Sequence, residues 1–319
     1  MMNNIYLNRS EKQWHQIVLV RKITAKWMQS LFIVICISLT SAYADNTPVK
    51  VIVDTDMGVD DAVAVAWLLS QTTYPVEVLG ITTVAGNTSV DNATNNVLTV
   101  LDGLNLSNIP VTIGAAAPLT QTLSQTGAGI HGPDGLWLVG LAHPHDLSGL
   151  PTDVADFYCN MANSHPGSML IALGPLTNLA HAINQCETAL ENFGNIVILG
   201  GAKHGGNRTP VAEFNIWQDP DAAAQVLSSS LQPTLIPYDT FRTFNITQDD
   251  LDELSMNGTA VTQLIFPAIQ LYAAAQTGLG GNTAITVPDV PSVMYGLDTT
   301  LGVGQSALVK IIPTANRQF

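Results

Sequence analysis

Four carboxylates stand within one eight-residue run, Asp54-Thr55-Asp56-Met57-Gly58-Val59-Asp60-Asp61. Like charges this close repel, which costs stability on folding unless a cation neutralises them. A ligand set made only of oxygen selects a hard ion, so calcium or magnesium is expected rather than zinc. Gly58 lets the backbone turn tightly between the acidic pairs. Helix capping by Asp60 or Asp61 would account for one of the four, not for all. An Asp-x-Asp after a first strand also serves as an aspartyl nucleophile in phosphoryl transfer, but that chemistry needs a downstream lysine. Lys203 is the only lysine in a loop after a strand, and the pair Asp60-Asp61 is foreign to that pattern.

The elements that must hold this run alternate in type. Val49–Val53 reads as a buried strand, and residues 60–70 as the helix after it. Val76–Val84, Pro110–Gly114, Ser168–Leu173, Asn195–Leu199 and Thr234–Tyr238 read as further strands. Ser89–Leu104, Leu176–Asn184 and Asp219–Ser228 read as helices. This rhythm predicts an α/β fold: a single domain with a mainly parallel central sheet flanked by helices, a Rossmann-like core. Residues 116–165, rich in Gly, Pro and His, read as irregular loops. In such sheets ligands bind beyond the carboxyl ends of the strands. The acidic run, Ala85-Gly86-Asn87, Gly174-Pro175-Leu176-Thr177-Asn178 and Gly200-Gly201 all follow strands, and so converge on one crevice.

Charge and leader pattern narrow the partners. The chain of 319 residues carries a formal charge of −14. Residues 31–39 (LFIVICISL) follow Arg21, Lys22 and Lys26 and precede Ala42-Tyr43-Ala44. The apolar run is short for a span, which needs about 20 residues, and the pattern is that of a secretory signal cleaved after Ala44. Residues 1–44 are therefore expected to be a signal peptide and 45–319 the working domain, secreted or periplasmic, with no stable membrane association after cleavage. Only Lys50, Lys203, Arg208, Arg242, Lys310 and Arg317 remain basic beyond the leader. So acidic a surface repels phosphate backbones and anionic lipid, which excludes nucleic acid as a partner. Cys159 and Cys186 either pair or stand as two buried thiols, the balance tipping slightly to thiols.

From about Val49 to Asp298 the chain resembles the inosine–uridine nucleoside hydrolase family. The similarity rests on DTDMGVDD, with Met57 at a usual proline, GITTVAGN at 80–87, Ile130-His131-Gly132-Pro133-Asp134-Gly135, ALGPLTNLA at 172–180, and Gly206-Asn207 followed by Thr209-Pro210 and Ala212-Glu213-Phe214-Asn215. Each is weak alone, but together they stand in the family's order. The resemblance implies a nucleoside hydrolase-like catalytic domain that binds a ribonucleoside and calcium, assembled as a homodimer or homotetramer. Asp56, Asp61, the carbonyl of Leu173 and Asp289 would hold the ion. Asp60 would take the ribose 2′-hydroxyl, and Asn87, Asn207, Glu213 and Asn215 the other hydroxyls, tasks suited to amides and carboxylates. Glu213 and Asn215 flank Phe214 at alternating spacing, which is compatible with both facing one side of an extended segment or, on the residues alone, with two surface polar groups.

The implied reaction is hydrolysis of the N-glycosidic bond to ribose and free base, with calcium-activated water and Asp56 as general base. Many members carry a histidine directly before the final aspartate as leaving-group acid; here Pro288 stands there and cannot donate a proton. His131 is then the candidate for interaction with the nucleobase. The competing expectation is a calcium-dependent nucleoside- or ribose-binding protein with weak or lost catalysis.

Overall fold

The computed structural model describes residues 15–20, 47–123, 126–138, 144–278, 285–309 and 311. Its elements in chain order are β1 (His15–Val20), β2 (Val49–Thr55), α1 (Val59–Leu69), β3 (Val76–Thr83), α2 (Val90–Gly103), β4 (Val111–Ile113), α3 (Ala128–His131), α4 (Val154–Ser164), β5 (Met169–Ala172), α5 (Thr177–Leu190) and β6 (Asn195–Leu199). Then follow α6 (Phe214–Gln218), α7 (Pro220–Ser228), β7 (Thr234–Ile236), α8 (Tyr238–Phe241), β8 (Asn245–Ile246), α9 (Gln248–Asn257), α10 (Ala260–Thr277), β9 (Ile285–Thr286), α11 (Asp289–Leu297) and β10 (Gly302–Ala307).

Strand β2 shows why the sheet is covered on both faces. Successive side chains of a strand point to opposite faces. Val51 and Val53 accordingly enter one apolar cluster, while Ile52 between them enters the other. Strands β5 and β6 split the same way, with Ile171 and Val197 on the first side and Leu170 and Ile198 on the second. A strand buried on both faces reads as a continuous apolar run, which is how VKVIV and NIVIL stand in the sequence. Helices α1, α10 and α11 bury residues in the first cluster, and α4, α5 and α7 in the second.

Six strands run parallel in the order β7-β6-β5-β2-β3-β4. Beyond β7 the sheet continues with β1, parallel to it, and β10, antiparallel to β1. The expected α/β fold with a mainly parallel sheet is thus observed. Strand β1 lies ahead of the expected cleavage point, so removal of residues 1–44 would take it out of the sheet; the run 31–39 and Ala42-Tyr43-Ala44 lie outside the described residues. Among the described residues no helix is long and apolar enough to cross a membrane.

Two expectations need correction. Residues 116–165 are not irregular throughout, because they contain α3 and α4. Val154, Ala155, Tyr158, Cys159 and Ala162 are the buried residues of α4 and recur at helical spacing on one side. Cys159 and Cys186 are not separate thiols. They form a disulfide between α4 and α5 with Cα atoms 6.0 Å apart, because packing of those two helices brings the residues within bonding reach.

Candidate active site

The acidic run occupies the turn from β2 into α1. The Thr55 hydroxyl donates to Asp61 Oδ1 at 2.5 Å and accepts from the Met57 N–H at 3.1 Å. Asp61 Oδ2 accepts from the Gly58 N–H at 2.9 Å, so this carboxylate also caps the helix that follows. The capping role set aside for the run as a whole therefore holds for Asp61. Asp60 Oδ1 accepts from the Asp61 N–H at 3.2 Å, and its Oδ2 from the Tyr272 hydroxyl at 3.0 Å.

Loops from neighbouring strands complete the floor. After β3, the Asn87 N–H donates to Asp56 Oδ2 at 2.6 Å, and its amide Nδ2 to Asp61 Oδ2 at 3.0 Å. Gly86 is obligatory there, since a Cβ would collide with Asp56 Oδ2. After β5, the Leu173 N–H donates to the Asp54 carbonyl at 2.8 Å. The Leu173 carbonyl accepts from Asn215 Nδ2 at 2.6 Å. Asp289 opens α11 and is 2% exposed. One carboxylate oxygen from each of Asp60, Asp61 and Asp289 lies within 4.8 Å of the others.

Asp54 faces away from this group. Its Oδ1 accepts from the Thr82 hydroxyl and from Asn178 Nδ2, both at 2.7 Å. It supports the turn, as the alternation of β2 requires, and burial holds its pKa up at about 6. Neither Asn178 nor Thr82 was given a role of its own in the sequence, although they lie inside the ALGPLTNLA and GITTVAGN segments.

The electrostatics ask for a cation. Burial raises the pKa of Asp56 well above the carboxylate range, and the charge of Asp61 raises it further. Burial and the charges of Asp61, Asp60 and Asp56 do the same to Asp289. Burial and then Asp60 bring Asp61 to about 6. Asp56 Oδ1 is buried and finds no hydrogen-bond partner among the described residues. Asp54 Oδ2 is a second buried orphan, so the case for an ion rests on the three convergent carboxylates. Asp60, Asp61 and Asp289 are all oxygen donors and fit a hard cation. The expected ligand Asp56 is not one of the three but is linked to them by charge. Asp60 thus stands among the carboxylates competent for metal as well as being the expected ribose contact.

The remaining expected residues divide into buried and rim positions. Glu213, itself extended at φ −77° and ψ 155°, is the N-cap of α6, so Phe214 and Asn215 stand in a helix and not in the expected extended segment. Its carboxylate accepts from the Asn215 N–H at 3.0 Å and from the Ile216 and Gly201 N–H groups at 3.2 Å. These free helix-end donors are what turn the chain there into a helix. Burial nevertheless lifts the Glu213 carboxyl to about 7. Asn207 is exposed on the rim, where its Oδ1 accepts from the Phe214 N–H at 2.9 Å. His131 ends α3 and is buried; its Nδ1 accepts from the Val59 N–H at 3.2 Å and lies 3.5 Å from Asp60 Oδ1. That acceptor role puts the ring proton on Nε2. Burial pulls the His131 pKa down to about 4, so the ring is neutral. Gly132 at φ +79° turns the chain back so that the Trp137 N–H reaches the His131 carbonyl at 3.1 Å. Trp217 packs under the Arg208 guanidinium, 4.3 Å from its ring centroid, and stacks with Phe214.

Buried carboxylates able to hold a cation at the strand ends of a parallel sheet, with amides and a glutamate beside them, define an α/β protein with a candidate metal and small-molecule site at the carboxyl ends of its strands. The comparisons with known proteins narrow the class. The family model described as inosine-uridine preferring nucleoside hydrolase matches residues 51–316, and the chain belongs to that family. It is 37% identical over 225 residues to uridine nucleosidase 1 of Arabidopsis thaliana, covering 70% of this chain and 66% of that one. It is 36% identical over 212 residues to a non-specific ribonucleoside hydrolase of Escherichia coli, covering 65% and 68%. A solved plant nucleoside hydrolase superposes with a TM-score of 0.73 at 30% identity over 80% of both chains. A purine-preferring ribonucleoside hydrolase from Gardnerella vaginalis gives 0.73 at 26% identity, covering 79% of this chain and 80% of that one. The activity of the class is hydrolysis of ribonucleosides at the N-glycosidic bond.

Proposed function

We propose that the chain is a calcium-dependent N-ribosylhydrolase in which Asp56 is the general base. The observation that carries this reading is Asp56 itself: Oδ2 is held by the Asn87 N–H, Oδ1 is buried and unpartnered, and the carboxylate feels the charges of Asp61 and Asp60, two of the three carboxylates that converge with Asp289. Asp56, Asp61, Asp289 and the Leu173 carbonyl would hold the ion. When bound, calcium supplies the positive charge these carboxylates lack and a Lewis-acid centre for water.

The side chains then divide the work. Asp56 Oδ1 takes the proton of the attacking water, its other oxygen fixed so that the acceptor stays aimed. Asp60 accepts from the ribose 2′-hydroxyl. Asn215 spends its amide hydrogens on the Leu173 and Leu199 carbonyls, at 2.6 and 3.2 Å, which leaves Oδ1 to accept from a ribose hydroxyl. Asn87 likewise keeps its side-chain oxygen for the sugar, and Glu213 and Asn207 contribute from the α6 side. As the bond to the base breaks, ribose gains oxocarbenium character, which the surrounding carboxylates stabilise. Pro288 donates nothing to the departing base, which therefore leaves as an anion and takes a proton from water, balancing the one that Asp56 accepts. His131, neutral with its proton on Nε2, contributes a hydrogen bond rather than a charge.

Incubating the purified chain with inosine, uridine and adenosine, with and without a chelator, tests this reading by released ribose. Ribose is expected in the presence of calcium and not after chelation. Turnover undiminished by chelation would remove the metal from the proposal. Secretion, or export to the periplasm, is the matching localisation. The leader pattern supports it, as does the Cys159–Cys186 disulfide, which persists in oxidising compartments. N-terminal sequencing of the exported protein, expected to begin at Asp45, tests it. Assembly as a homodimer or homotetramer follows from the family resemblance, and sedimentation would measure it.

A further inference from the structure

Tyr272 lies in α10, which packs against α1 and α3, and nothing in its sequence surroundings marks it for chemistry. It is 2% exposed, and its ring stands against His131 with centroids 5.3 Å apart. Its hydroxyl lies 3.0 Å from Asp60 Oδ2 and 2.9 Å from the carbonyl oxygen of Thr286. A phenol has one proton, so it cannot donate to both in full.

Gln276, one helical turn further along α10, settles which acceptor gets it. Its Nε2 donates to the Thr286 carbonyl at 2.9 Å, and its Oε1 accepts from the Thr286 N–H at 2.9 Å. The carbonyl already has a donor, and a hydrogen bond to an ionised acceptor is roughly twice as strong as one to a neutral acceptor. The phenolic proton therefore goes to Asp60. With the Asp61 N–H on Oδ1 and Tyr272 on Oδ2, the Asp60 carboxylate is fixed from both ends. Asp289 also bonds the Asp60 carboxylate, so the phenol adds to a partly held group, and losing it widens a terminal torsion that is intrinsically broad.

We propose that Tyr272 is the positioning residue that aims Asp60 at the ribose 2′-hydroxyl, and so makes the site prefer ribonucleosides over 2′-deoxyribonucleosides. This rests on the reading of Asp60 as the 2′-hydroxyl contact. A preorganised acceptor rewards the substrate that has the hydroxyl and does nothing for the one that lacks it. The same geometry gives Gln276 a supporting part, because it keeps the Thr286 carbonyl from drawing the phenolic proton away.

The test compares kcat/KM for uridine and 2′-deoxyuridine in the full chain with calcium present; where 2′-deoxyuridine turns over too slowly, its inhibition constant against uridine replaces the rate. Tyr272→Phe keeps the ring against His131 and removes only the hydroxyl. It is expected to lower uridine kcat/KM by about tenfold, the scale of a hydrogen bond to a charged group, and to change the 2′-deoxyuridine value by less than about twofold. The calcium-induced rise in Tm should be retained. Equal losses on both substrates, no loss on either, or a lost calcium response would overturn the proposal. Gln276→Met should shift the ratio the same way by about threefold, weaker because it acts through a neutral carbonyl. It decides the matter if Tyr272→Phe does not fold, an unchanged ratio then refuting the proposal. Asp60→Asn in parallel separates the two layers. If it leaves the ratio intact, the Asp60 reading falls and the proposal with it. If it collapses the ratio while Tyr272→Phe does not, only the role of Tyr272 falls.

Discussion

The floor of the site and its rim are built on opposite principles. On the floor, Asp54, Asp56, Asp60, Asp61 and Asp289 are each 5% exposed or less, and hydrogen bonds from the backbone, hydroxyls and amides hold the four of the opening run. Outside it, Asn207 is exposed, as are Leu138, seven residues after His131, and Val211, two before Glu213, at 71% and 82%. Buried like charges are costly and become tolerable only when each is directed at a partner. The floor is therefore rigid and dependent on a cation. Substitution of the exposed residues costs little stability, so its effect should appear in kcat/KM rather than in unfolding.

The sharpest way to break this contrast is at Asp56. Asp56→Ala should cut kcat by about a thousandfold or more, in the upper range of general-base losses, and retained turnover would remove the base assignment. Metal removal comes next. A ligand held only by the folded state stabilises it by about 2.7 kcal/mol at a hundred times its dissociation constant, so chelation should lower Tm by roughly 5–10 °C. An unchanged Tm would mean that the floor tolerates its own charge. Cys159→Ser, away from both regions, should cost about 3 kcal/mol through the freed chain of the unfolded state, read by urea unfolding, with kcat unchanged. Asn207→Ala, at an exposed position, should leave the unfolding free energy within about 0.5 kcal/mol of the parent while weakening uridine kcat/KM by about tenfold, the cost of one hydrogen bond to substrate. The smallest effect is expected from starting the chain at Asp45. Strand β1 lies at the far side of the sheet, beyond β7, so ribose release should be unaffected; lost activity would make β1 part of the working fold.

Much of this was legible in the residues, unevenly. The strands VKVIV and NIVIL were plain because burial on both faces leaves only apolar side chains. The helices α3 and α4 were not, because Gly, Pro and His around them mask a short amphipathic pattern. Glu213 was named, but its helix was missed: a glutamate beside alternating residues gives no sign that free N–H groups will turn the chain around it. Tyr272 gave no signal at all, being one aromatic in an apolar helix and 212 residues from the aspartate it touches.

What the sequence determined by itself was the chemistry available: crowded aspartates that demand a hard cation, placed after strands. Those are local facts of residue type and spacing; that Pro288 stands where a proton donor is expected came only through the family resemblance. Only the tertiary structure decided how the aspartates divide. Asp54 turns to the far face of β2, Asp61 doubles as a helix cap, Asp60 is held by a phenol from α10, and Asp56 keeps one oxygen unpartnered. The opening run therefore proved to be four differently held carboxylates rather than one uniform cluster. The physical reason is that a carboxylate's role depends on which donors and charges reach it, and here those arrive from strands and helices far away in the chain.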